Sequence, residues 1–225
     1  YEKAAQLRDQ LGQLGQEISQ RFRGKGTMVV DRQHIAQVVA RETGIPVEEL
    51  LERADGNLMT LPERLGQQVL GQTAAIQTVS ETLLRSRIGL REARRPRGCF
   101  LFAGPTGVGK TELCRALARE LYGRTDSLIR LDMTELSEKS GTATLIGAPP
   151  GYAGYGEGGM LTEKVRNQPY SLVLFDEVEK AHSDVRGLLL QIMDEGQLSD
   201  AEGERVDFRN TVVVMTCNLG ADAIQ

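Results

Sequence analysis

Residues 98–111 read Gly-Cys-Phe-Leu-Phe-Ala-Gly-Pro-Thr-Gly-Val-Gly-Lys-Thr, an apolar run that passes straight into a glycine-rich turn. The turn fits G-x-x-x-x-G-K-[ST], with Gly104, Gly109, Lys110 and Thr111 in the fixed places and Pro105, Thr106, Gly107 and Val108 between them. Each fixed residue has a physical reason. Glycines let backbone N–H groups turn inward and close on phosphate oxygens. Lys110 is placed to reach the β- and γ-phosphates of a nucleotide, and the Thr111 hydroxyl to meet Mg²⁺. The following Glu112-Leu113-Cys114-Arg115-Ala116-Leu117-Ala118 is good helix sequence, so the phosphates would sit at a helix N-terminus. A strand, a phosphate loop and a helix in immediate succession predict an α/β fold with a parallel sheet.

The rest of the C-terminal half agrees. Apolar runs at 98–103, 128–132, 171–176 and 211–217 predict strands, separated by helical sequence at about 110–122, 160–167 and 184–195. Their continuous apolar character predicts a parallel sheet covered on both faces. Gln197–Phe208 carries turn residues around Asp200–Gly203 and reads as a small hairpin. A phosphate loop needs a carboxylate for Mg²⁺ and a group that orients the attacking water. Leu172-Val-Leu-Phe-Asp176-Glu177 offers both at one strand end: Asp176 for the metal, Glu177 for the water. The last strand ends in Thr216-Cys217-Asn218. An amide there can hydrogen-bond the γ-phosphate or the water, or it can cap a helix starting near Gly220-Ala221. No Asn-Lys-x-Asp is present to read guanine, which favours ATP over GTP.

The N-terminal part reads as helical. Ala4, Leu7, Leu11, Leu14 and Ile18 follow a heptad seam, either a coiled-coil stump or one amphipathic helix packed on the body. Gly12 and Gly15 each cost such a helix roughly 1 kcal/mol. Residues 23–27 read as a linker, and Asp31 as the cap of a short helix carrying Ile35, Val38 and Val39. Val47, Leu50 and Leu51 suggest a further turn or two, Thr60-Leu-Pro-Glu63 a capping box, and Thr73 the start of a longer helix buried through Ile76, Val79 and Leu83. The organisation is thus 1–26 as a coiled-coil remnant and linker, 27–97 as a helical lead-in, and 98–225 as the α/β core.

Net charge is −4. No overall basic field therefore draws the chain to nucleic acid or membrane. No apolar run approaches the roughly 18 residues that cross a bilayer. Cys99, Cys114 and Cys217 are scattered in apolar surroundings, which reads as buried thiols in a cytoplasmic protein. The basic run Arg85, Arg87, Arg91, Arg94, Arg95, Arg97 has no interleaved aromatic for base stacking and reads as a solvated face or subunit contact. His34 and His182 read as structural.

Gly147–Gly159 is a glycine-rich loop that holds two of the chain's five tyrosines, Tyr152 and Tyr155, in a sequence without tryptophan. Such a loop can grip polypeptide by aromatic packing without reading its sequence, or its tyrosines can fold back onto the body. At this point a family resemblance is plain. Gly147-Ala-Pro-Pro-Gly-Tyr-Ala-Gly-Tyr-Gly-Glu-Gly-Gly159, Leu161-Thr-Glu-Lys-Val-Arg166, Phe175-Asp-Glu-Val-Glu-Lys-Ala-His182 and Val206-Asp-Phe-Arg-Asn-Thr-Val-Val-Val-Met-Thr-Cys-Asn-Leu-Gly220 resemble the second ATPase ring of the Clp unfoldases. Tyr1-Glu-Lys-Ala-Ala-Gln-Leu-Arg-Asp9 is further similar to the coiled-coil middle segment of the ClpC branch.

The resemblance implies a three-layer AAA+ P-loop module that binds ATP and Mg²⁺, works as a homo-hexamer on unfolded or aggregated polypeptide, and serves a peptidase ring or an adaptor. Tyr152, with Tyr155 beside it, matches the pore aromatic. The segment Val69-Leu70-Gly71-Gln72 matches the one lining the adenine pocket, where the family usually has isoleucine at the position of Leu70. Lys110, Thr111, Asp176, Glu177 and Asn218 match the nucleotide-site positions, and the Gln197–Phe208 hairpin a secondary pore loop. The chain departs from the pattern at Glu138-Lys-Ser140-Gly-Thr-Ala-Thr144, at Ala153 and at Cys217. The arginine finger, a fifth strand and the small helical domain are expected beyond residue 225, so this excerpt should hydrolyse ATP slowly. Two other readings stay open: a nucleic-acid motor or its loader, and a nucleotide-binding assembly fragment without appreciable hydrolysis.

Overall fold

The computed structural model describes residues 30, 32–43, 47, 58–90, 92–123, 125–152, 155–156 and 158–218. The heptad seam of residues 4–18, the linker at 23–27, the Asp31 cap, and Leu50 and Leu51 lie outside the described residues. Three helices come first: α1 (Arg32–Thr43), α2 (Leu61–Gln68) and α3 (Thr73–Arg87). The chain then runs through β1 (Gly98–Ala103), α4 (Lys110–Tyr122), β2 (Leu128–Asp132), α5 (Gly141–Ile146), α6 (Met160–Asn167), β3 (Leu172–Asp176), α7 (Ser183–Glu195), β4 (Gln197–Ser199), β5 (Arg205–Asp207) and β6 (Val212–Cys217).

Four strands form one parallel sheet in the order β1-β6-β3-β2, while β4 and β5 pair antiparallel as the expected hairpin. Side chains alternate across the sheet, so the central strands β3 and β6 feed two apolar layers. On one face Phe100, Leu172, Leu174, Val212 and Val214 pack with Leu61, Leu65, Ile76, Val79 and Leu83 of α2 and α3 and with Leu113 and Leu117 of α4. On the other, Ile129, Leu131, Val173, Phe175 and Val213 pack with α5, α6, α7 and the hairpin residues Leu198 and Val206. Each such side chain, fully buried, contributes roughly 1.5–3 kcal/mol. The result is a three-layer α/β fold in which α2 and α3 share one core with the sheet.

Three expectations need correction. Only the central strands β3 and β6 are covered on both faces; β1 alternates buried and exposed positions, leaving Cys99, Leu101 and Ala103 uncovered. The helices of that layer cover the middle of the sheet, and β1 is its edge among the described strands. Cys99 is therefore exposed, whereas Cys114 and Cys217 are buried as expected. Thr60 forms no side-chain cap on α2, because its backbone (φ −96°, ψ 5°) is outside the extended region that aims a capping oxygen at the first turn. On α1, Ile35 and Val38 are exposed and Ala36 is the buried residue. His182 does act structurally, its Nδ1 accepting the Asp184 N–H at 3.2 Å to cap α7.

Three arginines of the basic run are matched by acids. Arg85 meets Glu81, Arg94 meets Glu92, and Arg95 meets both Glu92 and Asp194. The Arg97 guanidinium lies 5.3 Å from the ring centre of Tyr170.

The tyrosine-bearing loop leaves α5 at Gly147 and returns to α6 at Gly159. There the backbones approach so closely that a Cβ on Gly159 would stand 2.3 Å from the Leu145 carbonyl oxygen. Gly159→Ala is expected to lower the thermal midpoint by roughly 3–10 °C through this clash. Gly187, exposed in α7 with open space around it, is the control. Gly187→Ala should raise stability by about 0.5–1 kcal/mol through helix propensity. A calorimetric scan of both variants distinguishes close approach from a general intolerance of substitution.

Candidate functional site

The strands all point the same way, and the sequence-predicted residues gather where β1, β3 and β6 end. β1 delivers the chain into the glycine loop, and α4 begins at Lys110 with no side chain capping its N-terminus. Gly107 and Gly109 hold left-handed backbone (φ +81° and +95°), and a Cβ on either would project into open space. The loop and first helical turn thus face a cavity lined by Thr106, Gly107, Gly109, Lys110, Thr111, Glu112, Arg115, Arg130, Asp176, Glu177 and Asn218. An open helix N-terminus beside an ammonium is a cradle for phosphate oxygens. The residues present fit a Mg²⁺-nucleotide: Thr111 and Asp176 line one cavity with Lys110, and both are oxygen ligands suited to a hard cation.

Lys110 lies across the loop. Its Nζ donates to the carbonyls of Gly104 and Pro105 at 2.5 and 2.8 Å and to Asn218 Oδ1 at 2.9 Å. Asn218 Nδ2 donates to Glu177 Oε1 at 3.1 Å. One amide side chain therefore bridges the lysine of the loop and the carboxylate after β3. The helix that Asn218 would cap in the alternative reading lies outside the described residues.

Asp176 is 8% exposed. A carboxylate so placed needs partners on both oxygens. Thr216 Oγ1 donates to Oδ1 at 2.5 Å, and Arg130 donates to Oδ2 through Nε at 3.1 Å and Nη2 at 2.7 Å. The same Thr216 oxygen accepts the Glu177 N–H at 2.9 Å. Glu177 itself has φ +58° and ψ +54°, the one positive-φ side-chain-bearing residue among the described residues. Such a backbone costs a non-glycine residue about 1–2 kcal/mol, and strain of this kind gathers at functional sites. Behind the site, burial pushes the Cys114 thiol up to about 12, with the Asp176 charge adding to it, so this cysteine stays protonated.

Sequence reasoning missed Thr216, Arg130 and Glu179. Glu179 Oε1 accepts the Asn218 N–H at 3.1 Å, and Gln72, named in the segment matched to an adenine pocket, donates from Nε2 to the Val108 carbonyl at 2.9 Å. Arg130 carried a signal, a charge interrupting an apolar strand; Thr216 and Glu179 had none beyond proximity to a motif. A second cavity beside the loop is lined by Gln72, Ala75, Leu101, Phe102, Ala103, Gly104, Pro105, Val108, Gly109, Lys110 and Leu113. Of the segment matched to an adenine pocket, Gln72 lines this cavity, while Val69 is buried outside its lining and Leu70 is 86% exposed. Tyr152 and Tyr155 are 71% and 52% exposed, so neither folds back onto the body, and both lie outside the phosphate-loop cavity.

Residues 95–225, more than half of the chain, match the family model described as AAA domain (Cdc48 subfamily). The chain belongs to this family. Its AAA domain is similar over the whole chain to the ATP-dependent Clp protease ATP-binding subunit ClpC of Staphylococcus epidermidis (46% identical, 28% of that protein's length). It is similar over the whole chain to the chaperone protein ClpB of Pseudomonas putida as well (51% identical, 25% of its length). Chaperone protein ClpB of Rhodopseudomonas palustris is 54% identical over 88% of the chain and 23% of its own length. The chain thus spans about a quarter of the length of these curated relatives, and it is a Clp-type AAA+ module.

The central hydroxyl gives a direct test. Thr216→Val keeps the shape but leaves Asp176 Oδ1 and the Glu177 N–H without their shared partner. Stability should fall by about 1–3 kcal/mol, read as a lower denaturant midpoint at unchanged slope.

Proposed function

We propose that this AAA domain binds and hydrolyses ATP as one module of a Clp-type chaperone, a hexameric ring that threads unfolded polypeptide through its centre. The observation that carries the nucleotide reading is the bridge Lys110–Asn218–Glu177, which joins the phosphate loop to the water-orienting carboxylate through one amide. Lys110 and the loop N–H groups bind the β- and γ-phosphates, displacing the lysine's contacts with its own loop carbonyls. Mg²⁺, held by Thr111 and Asp176, supplies positive charge on the phosphate oxygens when bound. Glu177 orients and polarises the attacking water, and Asn218 fixes the position of that carboxylate relative to Lys110.

The polypeptide reading rests on the loop between Gly147 and Gly159. It presents two exposed aromatic side chains on a stem closed tightly at its base. A flat, adaptable ring there can grip an unfolded chain of any sequence. The acid pairing of Arg85, Arg94 and Arg95 supports this reading over a nucleic-acid motor. The name of one relative contains "protease" and that of others "chaperone", and both a peptidase-linked and a refolding role fit this module. Among the described residues no helix is long and apolar enough to cross a membrane. A cytoplasmic location fits the Clp-type reading.

Two nucleotide-site variants should separate binding from chemistry. In the full-length protein, Lys110→Ala is expected to weaken ATP binding by about 10–100-fold, the worth of a charge-assisted contact, as read by calorimetry. Glu177→Gln should keep ATP affinity within about threefold while phosphate release drops by roughly 10²–10⁴-fold. Hydrolysis at the normal rate in Glu177→Gln would move the water-orienting role to another residue.

The polypeptide assignment has its own measurement. Tyr152→Ala should lower the length of tagged polypeptide unfolded per ATP hydrolysed by about tenfold, with Tyr155 retaining some grip. An unaltered ratio returns the loop to a surface feature without a role in threading.

A further inference from the structure

The tyrosine loop and the β4–β5 hairpin are separate in sequence, yet they are joined at two points. On the inbound stem, the Ala201 N–H of the hairpin turn donates to the Ile146 carbonyl at 2.9 Å. On the outbound side, Arg166 of α6 reaches the same turn, its Nη2 lying 2.6 Å from Asp200 Oδ2 and 3.2 Å from Glu204 Oε2. Its Nη1 is anchored on Glu163 of its own helix. Both stems of the loop therefore hold one turn of the hairpin.

Asp200 divides its carboxylate between two tasks. Oδ1 accepts the N–H groups of Glu202 and Glu204 at 3.0 and 2.8 Å and so shapes the turn. Oδ2 takes the arginine. The Asp200 side chain is only 9% exposed against 37% for Arg166, which removes the pair from the class of solvated ion pairs that contribute little. Burial pushes the Asp200 carboxyl up, but the Arg166 guanidinium with the two backbone N–H groups outweighs it and holds the group below the usual carboxylate range. The hairpin strands have three residues each, and a two-stranded ribbon of that size is held only by its neighbours: Leu198 and Val206 anchor it in the core, and Arg166 ties its turn. Arginine suits the place because its planar fork serves acceptors on two elements at once.

The geometry points to Arg166 as a positioning residue that clamps the hairpin to the tyrosine loop, so that both segments move against polypeptide as one body. This rests on the reading that Tyr152 faces polypeptide. Arg166 is outside the phosphate-loop cavity, so its effect is on the use of ATP and not on its hydrolysis.

The test uses the full-length protein with Arg166→Ala, Asp200→Asn and the double variant. Asp200→Asn keeps an oxygen for the turn amides and loses the charge that Arg166 meets. Amide hydrogen exchange should quicken by about tenfold in both 147–159 and 198–206 in each single variant, and in the double no further than in Arg166→Ala, because that change already removes the contacts of Arg166 with both Asp200 and Glu204. Polypeptide unfolded per ATP should fall several-fold while ATPase rate without polypeptide holds. Faster exchange in only one segment, additive effects, or an unchanged ratio of unfolding to ATP overturns the clamp. If Arg166→Ala does not assemble, Asp200→Asn and Arg166→Lys carry the same comparison. Tyr152→Ala separates the two ideas. Normal threading in that variant defeats the polypeptide reading, and the exchange of the two segments still decides whether Arg166 joins them.

Discussion

Parallel pairing of β3 with β6 sets the geometry on which the site depends. Val173 stands opposite Val213 and Phe175 opposite Met215, so the last residues of the two strands emerge together. That register brings Asp176 and Glu177 within hydrogen-bond reach of Thr216 and Asn218, residues about forty positions away in the chain. A slip of one residue would turn every side chain of β6 to the opposite face. The apolar layers on both faces of these two strands are what forbid that slip. Packing in the core and chemistry at the edge are in this sense one constraint.

The carboxylates at the edge are each met by hydrogen-bond donors, and Asp176 by an opposite charge as well. Asp176 has Thr216 and Arg130, Glu177 has Asn218, and Glu179 has the Asn218 backbone. Each carboxylate is held in place before any ligand arrives, which reduces the reorganisation that binding requires. The clamp at Arg166 uses the same device at the other end of α6, with one carboxylate folding a turn and an arginine fixing that turn to its neighbour.

Much of this was legible in the sequence because the signals were local. The glycine loop, the apolar strands at 98–103 and 128–132, and the helix at 110–122 were read with the boundaries the structure has, since each is marked by its own residues. The Asp-Glu pair and Asn218 were legible from position at strand ends. What failed depended on neighbours distant in the chain. Cys99 looked buried because its strand is apolar, and only the position of β1 at the sheet edge exposes it. Thr60 looked like a cap because its residue type fits, while its backbone does not. Thr216 was invisible, since its role comes wholly from lying between two residues of another strand.

On the proposed mechanism, Glu177 sets stability against activity at a single position. Its left-handed backbone would suit glycine, and Glu177→Gly would release about 1–2 kcal/mol of conformational strain. The same change would delete the carboxylate that Asn218 holds toward the phosphate loop. A screen of this module for heat resistance alone would therefore drift toward inert proteins, and the strain at this residue is a physical mark that the fold is kept for work rather than for durability.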